Sequence, residues 1–210
     1  MVDQKSITDM LHYEQQAKAN GLRFFIGVDE AGRGPLAGPV VAAAVMLKEW
    51  VFEERIADSK KMTERQRDRA FHEIFDKAYV GIGVMNETVI DDVNILNATH
   101  LAMDQAIRRL VLTLPEASVR DVEIAVDGNL FRTQLPYRYR TIVKGDSASM
   151  SIACASIIAK VYRDRILQKY DTLFPQYGFK KHKGYPTKAH RDAIKTHGYS
   201  PIHRRSFSVK

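Results

Sequence analysis

An α/β fold built around a mixed β-sheet is what this 210-residue sequence predicts. Three observations predict it. Two apolar runs, residues 23–29 and 39–47, flank a glycine-rich turn, as two joined strands would. Helical and strand-like patterns then alternate down the chain, which places helices against a sheet. No repeat or low-complexity linker interrupts them, and the length suits one domain over 1–210.

Residues 1–20 read as a polar, accessory N-terminal helix. Residues 23–29 form a strand that closes on Asp29, and 39–47 form a second, well-buried strand. Residues 58–61 form a loop. Thr63 and Gln66 fit a capping box that opens a charged helix to about residue 78. Residues 79–85 are strand-like. Residues 95–112 make an amphipathic helix with Leu96, Leu101, Ala102, Ala106, Ile107 and Leu110 as apolar candidates. Residues 122–126 form a strand running into Asp127-Gly128-Asn129, and 139–143 form a short strand ending at Lys144-Gly145-Asp146. A long helix spans 147 to about 173. Its early turns carry Ser149, Ser151, Ala153, Ala155, Ser156 and Ala159, small enough for close approach to a sheet. A last helix, 187–196, lies in a basic segment.

Composition narrows the class of protein. The chain is 45% hydrophobic and 27% charged, ordinary for a soluble domain. No apolar run reaches the roughly 18 residues of a membrane helix. The polar start, Met1-Val2-Asp3-Gln4-Lys5, lacks the apolar stretch of a secretory signal. The lone Cys154 excludes an internal disulfide and reads as a small buried hydrophobe, and both features fit a cytoplasmic protein. Net charge is +7, unevenly spread. Residues 177–210 hold nine Lys/Arg against one acid, whereas 1–176 hold 23 bases and 24 acids. A basic end on a near-neutral body is an electrostatic footprint for a polyanion.

The acids carry the chemistry. Asp29-Glu30, Asp127 and Asp146 each lie at the end of a strand-like run, with Gly32, Gly128 and Ser147 just beyond them. Neighbouring strand ends gather such residues at one sheet edge, where ligands bind. Four carboxylates together repel one another unless cations intervene, and hard divalent ions take oxygen ligands. Two such ions can drive phosphodiester hydrolysis. Taken singly, each acid also suits a turn or a helix cap. The spacing Gly32-x-Gly34-x-x-x-Gly38 is not the dinucleotide fingerprint, and no phosphate-loop lysine follows it. That disfavours a cofactor enzyme or phosphotransferase. A non-catalytic binder of duplexes is disfavoured by the full set of acids.

Gly27-Val28-Asp29-Glu30-Ala31-Gly32-Arg33-Gly34-Pro35-Leu36-Ala37-Gly38-Pro39-Val40 resembles the signature of the bacterial ribonuclease HII family. The resemblance continues through Asp58-Ser59-Lys60-Lys61, Asn94-Ile95-Leu96-Asn97-Ala98-Thr99, Val126-Asp127-Gly128-Asn129, Lys144-Gly145-Asp146-Ser147, Gly184-Tyr185-Pro186-Thr187 and His203-Arg204-Arg205-Ser206-Phe207, covering about residues 23–208. It implies an RNase H-like fold: a mixed central sheet flanked by helices, with a C-terminal helical extension. The implied activity is endonucleolytic hydrolysis of the RNA strand of RNA–DNA hybrids and nicking 5′ of single ribonucleotides in duplex DNA, leaving 3′-hydroxyl and 5′-phosphate ends. Asp29, Glu30, Asp127 and Asp146 match the family's metal-binding carboxylates, which take Mg²⁺ or Mn²⁺, two ions in the catalytic complex. Gly32, Arg33 and Gly34 match the loop that senses the 2′-hydroxyl. Tyr185 matches the tyrosine that stacks on the sugar just 3′ of the ribose. The family's monomeric state carries over as an expectation. The related ribonuclease HIII usually has lysine at the Arg33 position and an extra N-terminal domain, and neither feature is present. Lys60, Lys61, Lys180, Lys181, Lys183 and Arg204 are candidate phosphate contacts from about 176–210 and the 58–61 loop. The four histidines of the basic segment are weaker candidates for the same role. Arg163 and Asp164 read as a structural pair.

Overall fold

Five strands form one sheet in the order β3-β2-β1-β4-β5. They are β1 (Phe24–Ala31), β2 (Val40–Leu47), β3 (Ala78–Met85), β4 (Val122–Asp127) and β5 (Arg138–Ile142). β1 pairs antiparallel with β2 and β2 with β3, while β1, β4 and β5 run parallel. The sheet is therefore mixed, as the sequence predicts. The computed structural model describes residues 10–115 and 118–208, so the first half of the expected N-terminal helix and Lys210 lie outside it.

The helices are α1 (His12–Ala19), α2 (Glu64–Lys77), α3 (Glu87–Val111), α4 (Met150–Leu173), α5 (Phe179–His182) and α6 (Lys188–His197). Period-2 alternation along β2 divides the core. Val41, Ala43 and Val45 face a layer with α2 and α4, and Val40, Ala42 and Ala44 face a layer with α3. Both faces are covered, so both sets of strand residues are apolar. Each large aliphatic side chain buried in these layers, such as Ile74 or Ile107, contributes about 1.5–3 kcal/mol. The small residues at the start of α4 are buried against the sheet, as expected. Among the described residues, no helix is long and apolar enough to cross a membrane.

Local chemistry sets the boundaries. The Thr63–Gln66 capping box opens α2. The expected helix start at residue 95 is an internal kink: Asn94 sits at φ 66°, and its side chain accepts from the N–H groups of Leu96 and Asn97. A preceding stretch, capped by Asn86, was not legible because its polar residues mask the period. Leu101, an expected core residue, is exposed. α4 begins at Met150, later than expected, after a 3-10 turn over Gly145–Ser147. Its N-terminus is held by α1, where buried Glu14 accepts from the Ser149 hydroxyl (2.7 Å) and the Ser151 N–H (2.9 Å). A carboxylate there satisfies an orphan donor and meets the positive end of the helix dipole.

Candidate active site

Strand pairing brings the acids together. Val28 of β1 is level with Val126 of β4, so Asp29 and Asp127 follow side by side at the carboxyl ends of adjacent parallel strands. β5 ends at Ile142 and leads into the turn bearing Asp146. The Gly145 N–H donates to Asp127 Oδ1 at 2.7 Å, tying that turn to the β4 end. The Glu30 N–H donates to Asp29 Oδ1 at 2.7 Å. Asp29 is buried, and its burial, with the charges of Glu30 and Asp127, pushes its carboxyl well above the ordinary range. Burial also raises Glu30, opposed by the Arg33 guanidinium 3.5 Å away. Asp146 is raised by burial and by Asp127 and Asp58.

This electrostatic profile bears on whether a divalent cation fits. Hard oxygen donors sit where mutual repulsion and burial disfavour their charge, and a cation relieves both. Among the described residues, no three acid, imidazole or thiol groups already converge as a closed cage. The acids form an open wall at the ends of β1, β4 and the turn after β5.

The Gly32-Arg33-Gly34 loop forms the facing side of a cleft of about 310 Å³ that also takes in Asp29, Glu30, Lys60, Lys160 and Tyr185. Two buried arginines shape this loop from beneath. Arg204 donates to the carbonyls of Gly32 (2.6 Å), Arg33 (2.9 Å) and Gly38 (3.0 Å). Arg163 donates to those of Pro39 (2.9 Å), Ala37 (3.1 Å) and Lys183 (2.9 Å). In a trans peptide the N–H points opposite the C=O. With the Gly32 and Arg33 carbonyls turned in to Arg204, the N–H groups of Arg33 and Gly34 turn away from it, on the cleft side. Neither has a hydrogen-bond partner among the described residues. Two adjacent free N–H groups make a small anion- or hydroxyl-binding concavity. Gly32 is required here: φ is +100°, and a Cβ would lie 2.1 Å from Arg163 Nε.

The remaining expected site residues divide. Tyr185 is 44% exposed at the cleft, close to Gly34. Lys60 lines the cleft and lowers Glu30 and Asp146. Lys61, Lys180 and Lys181 are exposed, and Lys183 is half-buried with its ammonium on the Lys180 carbonyl. Arg204 corrects its assignment as a phosphate contact: it is fully buried, and three backbone carbonyls take its donors. The reason is spacing that only the fold supplies, since its partners lie about 170 residues earlier. Arg163 does not pair with Asp164, which accepts from Lys160 at 2.8 Å instead. Of the four histidines in the basic segment, His190 and His203 are buried inside it and His182 is half-buried. Sequence reasoning missed Ser156, whose hydroxyl reaches Asp29 and lies 2.9 Å from that of Ser59. It sits among small residues that read only as packing.

Acids on the ends of parallel strands, in a sheet of this order with helices on both faces, define the class: an RNase H-like nuclease. The sequence pattern of the family described as Ribonuclease HII matches residues 26–210. A ribonuclease HII of Syntrophus aciditrophicus is 51% identical over 202 residues, covering 96% of this chain and 92% of the relative. One of Ruminiclostridium cellulolyticum is 50% identical over 206 residues, covering 98% and 78%. In fold, the chain is similar to the RNase HII of Archaeoglobus fulgidus solved with PCNA, at TM-score 0.70 and 23% identity over 89% of this chain and 96% of that one. The chain belongs to the ribonuclease HII family, and with it is a ribonuclease H endonuclease that hydrolyses the RNA strand of RNA–DNA hybrids.

Proposed function

We propose that this endonuclease also nicks duplex DNA on the 5′ side of a single embedded ribonucleotide, leaving 3′-hydroxyl and 5′-phosphate ends. The observation that carries this reading is the shared cleft, lined together by Asp29, Glu30, the Gly32–Gly34 loop and Tyr185. Only the 2′-hydroxyl separates RNA from DNA at one position. The free N–H groups of Arg33 and Gly34 suit that hydroxyl or the phosphate beside it. Tyr185 offers a face for the sugar just 3′ of it, where a second ribose is distinguishable from deoxyribose.

Asp29, Glu30, Asp127 and Asp146 would hold two divalent ions, Mg²⁺ or Mn²⁺. Ions so bound supply an activated water and neutralise charge on the leaving oxygen. The chain's own residues do the rest. Gly145 fixes the Asp127 carboxylate through its N–H. Ser156 and the Glu30 N–H orient Asp29. Lys60 and the exposed Lys61, Lys180 and Lys181 hold phosphates without reading bases, so binding weakens with salt. Lys183 belongs to this set, its ammonium at the segment's surface. We place the activity in the cytoplasm, in ribonucleotide removal from DNA, by one chain acting as a monomer and a single domain.

The test is cleavage of a labelled DNA duplex holding one ribonucleotide, with Mg²⁺, Mn²⁺ or EDTA. A nick 5′ of the ribonucleotide in either metal and none in EDTA is expected. A chain that cuts uniform hybrid but leaves this duplex intact refutes the reading.

A further inference from the structure

Beneath Tyr185 lies a chain of three histidines that the chemistry above leaves unused. His182 and His190 stack with ring centroids 4.3 Å apart, and His203 lies 5.2 Å beyond His190. Their partners fix their tautomers. The Ser200 N–H donates to His203 Nδ1 at 2.8 Å, so that nitrogen is an acceptor and the ring proton sits on Nε2. His203 Nε2 faces His190 Nε2 at 3.0 Å and must donate to it. His190 then carries its own proton on Nδ1, 2.9 Å from the carbonyl oxygen of Tyr185. Hydrogen bonds thus run in one direction from Ser200 through two imidazoles to the tyrosine backbone. His182 completes the frame: its Nδ1 accepts from the Gly184 N–H (3.2 Å), its Nε2 donates to the Tyr177 carbonyl (2.8 Å), and its own carbonyl accepts from the Tyr185 N–H (2.9 Å).

Tyr185 is held by this frame at both backbone ends, and its carbonyl takes two donors, His190 Nδ1 at 2.9 Å and the Thr187 N–H at 2.8 Å. Its side chain is 44% exposed at the cleft, so packing restrains the ring only in part and the backbone sets the point from which it projects. That backbone is pressed against the glycine loop: the Gly184 carbonyl accepts from the Leu36 N–H at 2.8 Å, and a Cβ on Gly184 would lie 2.5 Å from the Ala37 oxygen. The chain of bonds needs all three rings neutral. Burial is the largest effect and lowers each of them, opposed by the backbone hydrogen bond each ring makes and by Asp171 at His182, while neighbouring cations and rings lower them further.

We propose that His190 and His203 are positioning residues for Tyr185, holding its ring where it meets the sugar 3′ of a ribonucleotide and so setting the preference for an RNA–DNA junction over uniform hybrid. This rests on the stacking role of Tyr185 given above. The expected mechanism is the loss of one of the two donors to the Tyr185 carbonyl, which leaves the Thr187 N–H as its single anchor and lets the ring drift, with the acids untouched.

The test compares kcat/KM of the full chain on two duplexes of one sequence, a single ribonucleotide in DNA and a uniform RNA–DNA hybrid. His190→Leu is expected to lower junction cleavage by about 10- to 100-fold, the scale of a displacement near 1 Å, while hybrid cleavage stays within about twofold. His190→Asn, whose amide nitrogen stands where Nδ1 stood, is expected to restore most of the preference. His190→Gln, which reaches only toward His203, is not. In a Tyr185→Ala background His190→Leu should change the preference no further, because both act through one ring. Equal loss on both duplexes, or no rescue by His190→Asn over His190→Gln, overturns the proposal. If His190→Leu does not fold, the Asn and Gln pair carries the same contrast. Should Tyr185→Ala leave the preference unchanged, the stacking reading itself falls. If Tyr185→Ala removes the preference and the histidine variants do not, only the positioning role falls.

Discussion

The acid wall and the basic segment 177–208 meet at one cleft but are built in opposite ways. At the wall, Asp29 and Glu30 line the cleft, Asp29, Asp127 and Asp146 stand at the ends of three parallel-strand paths, and burial makes the ionisation of Asp29 and Asp146 unfavourable. In the basic segment much of the apparent charge faces inward. Arg204 is buried on carbonyls, and His190 and His203 are neutral rings in a hydrogen-bonded chain. Ionised, the wall is left with uncompensated charge of one sign, whereas the segment is satisfied by its own backbone. A cluster of one sign reads as a binding surface only where the fold leaves it unpaired.

The sharpest way to break this contrast is Asp127→Asn. The amide keeps an oxygen for the Gly145 N–H, so the turn should stay in place. One charged oxygen donor is lost, and hydrolysis of hybrid should fall at least about 1000-fold, near 4 kcal/mol of barrier. Duplex affinity measured without metal should be unchanged or slightly higher. Cleavage at close to the parent rate removes Asp127 from the metal site.

Arg204→Met tests the inward side. It strands three buried carbonyls, each costing about 1–3 kcal/mol, partly offset by relief of a desolvated cation, for a net loss of about 3 kcal/mol. Arg33→Ala, at an exposed guanidinium in the same loop, should stay within about 0.5 kcal/mol. Urea denaturation of both variants checks the difference. Equal effects mean that Arg204 does not clamp the loop.

The two buried arginines also show what was legible in the sequence. Strand ends are local features, so an apolar run followed by an acid located Asp29, Asp127 and Asp146, and the capping box located the start of α2. The apolar period located the helical stretch after residue 94 but not that Asn94 is a kink inside a longer helix. Arg204 reaches residues 32–38, and Arg163 reaches residues 37–39 and 183. Nothing near either in sequence distinguishes it from a solvated charge. The same holds for His203, whose partner at residue 190 has meaning only once α6 packs back. Leu101 failed for a different reason: its neighbours Ala98 and Ala102 take the sheet-facing positions of that turn, which leaves Leu101 on the exposed side.

Acidity should separate the two regions by sign. Burial and its neighbours hold His203 down at about 4, and His182 and His190 are lowered in the same direction. The unfolded chain takes up these protons near 6.5, so their contribution is full above about pH 6.5 and is lost as pH falls toward 4, about 3 kcal/mol for His203. Asp29, Glu30 and Asp146 are raised, so their contribution is full below the ordinary carboxylate range and is lost as pH rises through the raised values. Melting curves from pH 5 to 8 should therefore show EDTA-treated protein weakening at both ends. Added Mn²⁺ should restore stability at the alkaline end alone. Equal rescue at pH 5 and 8 contradicts the wall's role.

The smallest effect belongs to the cations that do face water. Lys180 and Lys181 are exposed, and the only described bond at Lys180 to an acid runs from its backbone N–H to Asp171 at 3.0 Å. Among the described residues their ammonium groups have no acid partner, which leaves them open to phosphate. Each contact to a duplex phosphate releases about 0.9 counterion, so Lys180→Ala and Lys181→Ala should each flatten the log–log slope of affinity against salt by that amount. Affinity near physiological salt should fall only a few-fold, about 1 kcal/mol or less, equally for duplexes of any sequence. kcat should not change, because neither residue touches the acids. A slope that stays at the parent value places the phosphates elsewhere and leaves the 58–61 loop, with Lys60 at the cleft itself, as the principal cationic contact.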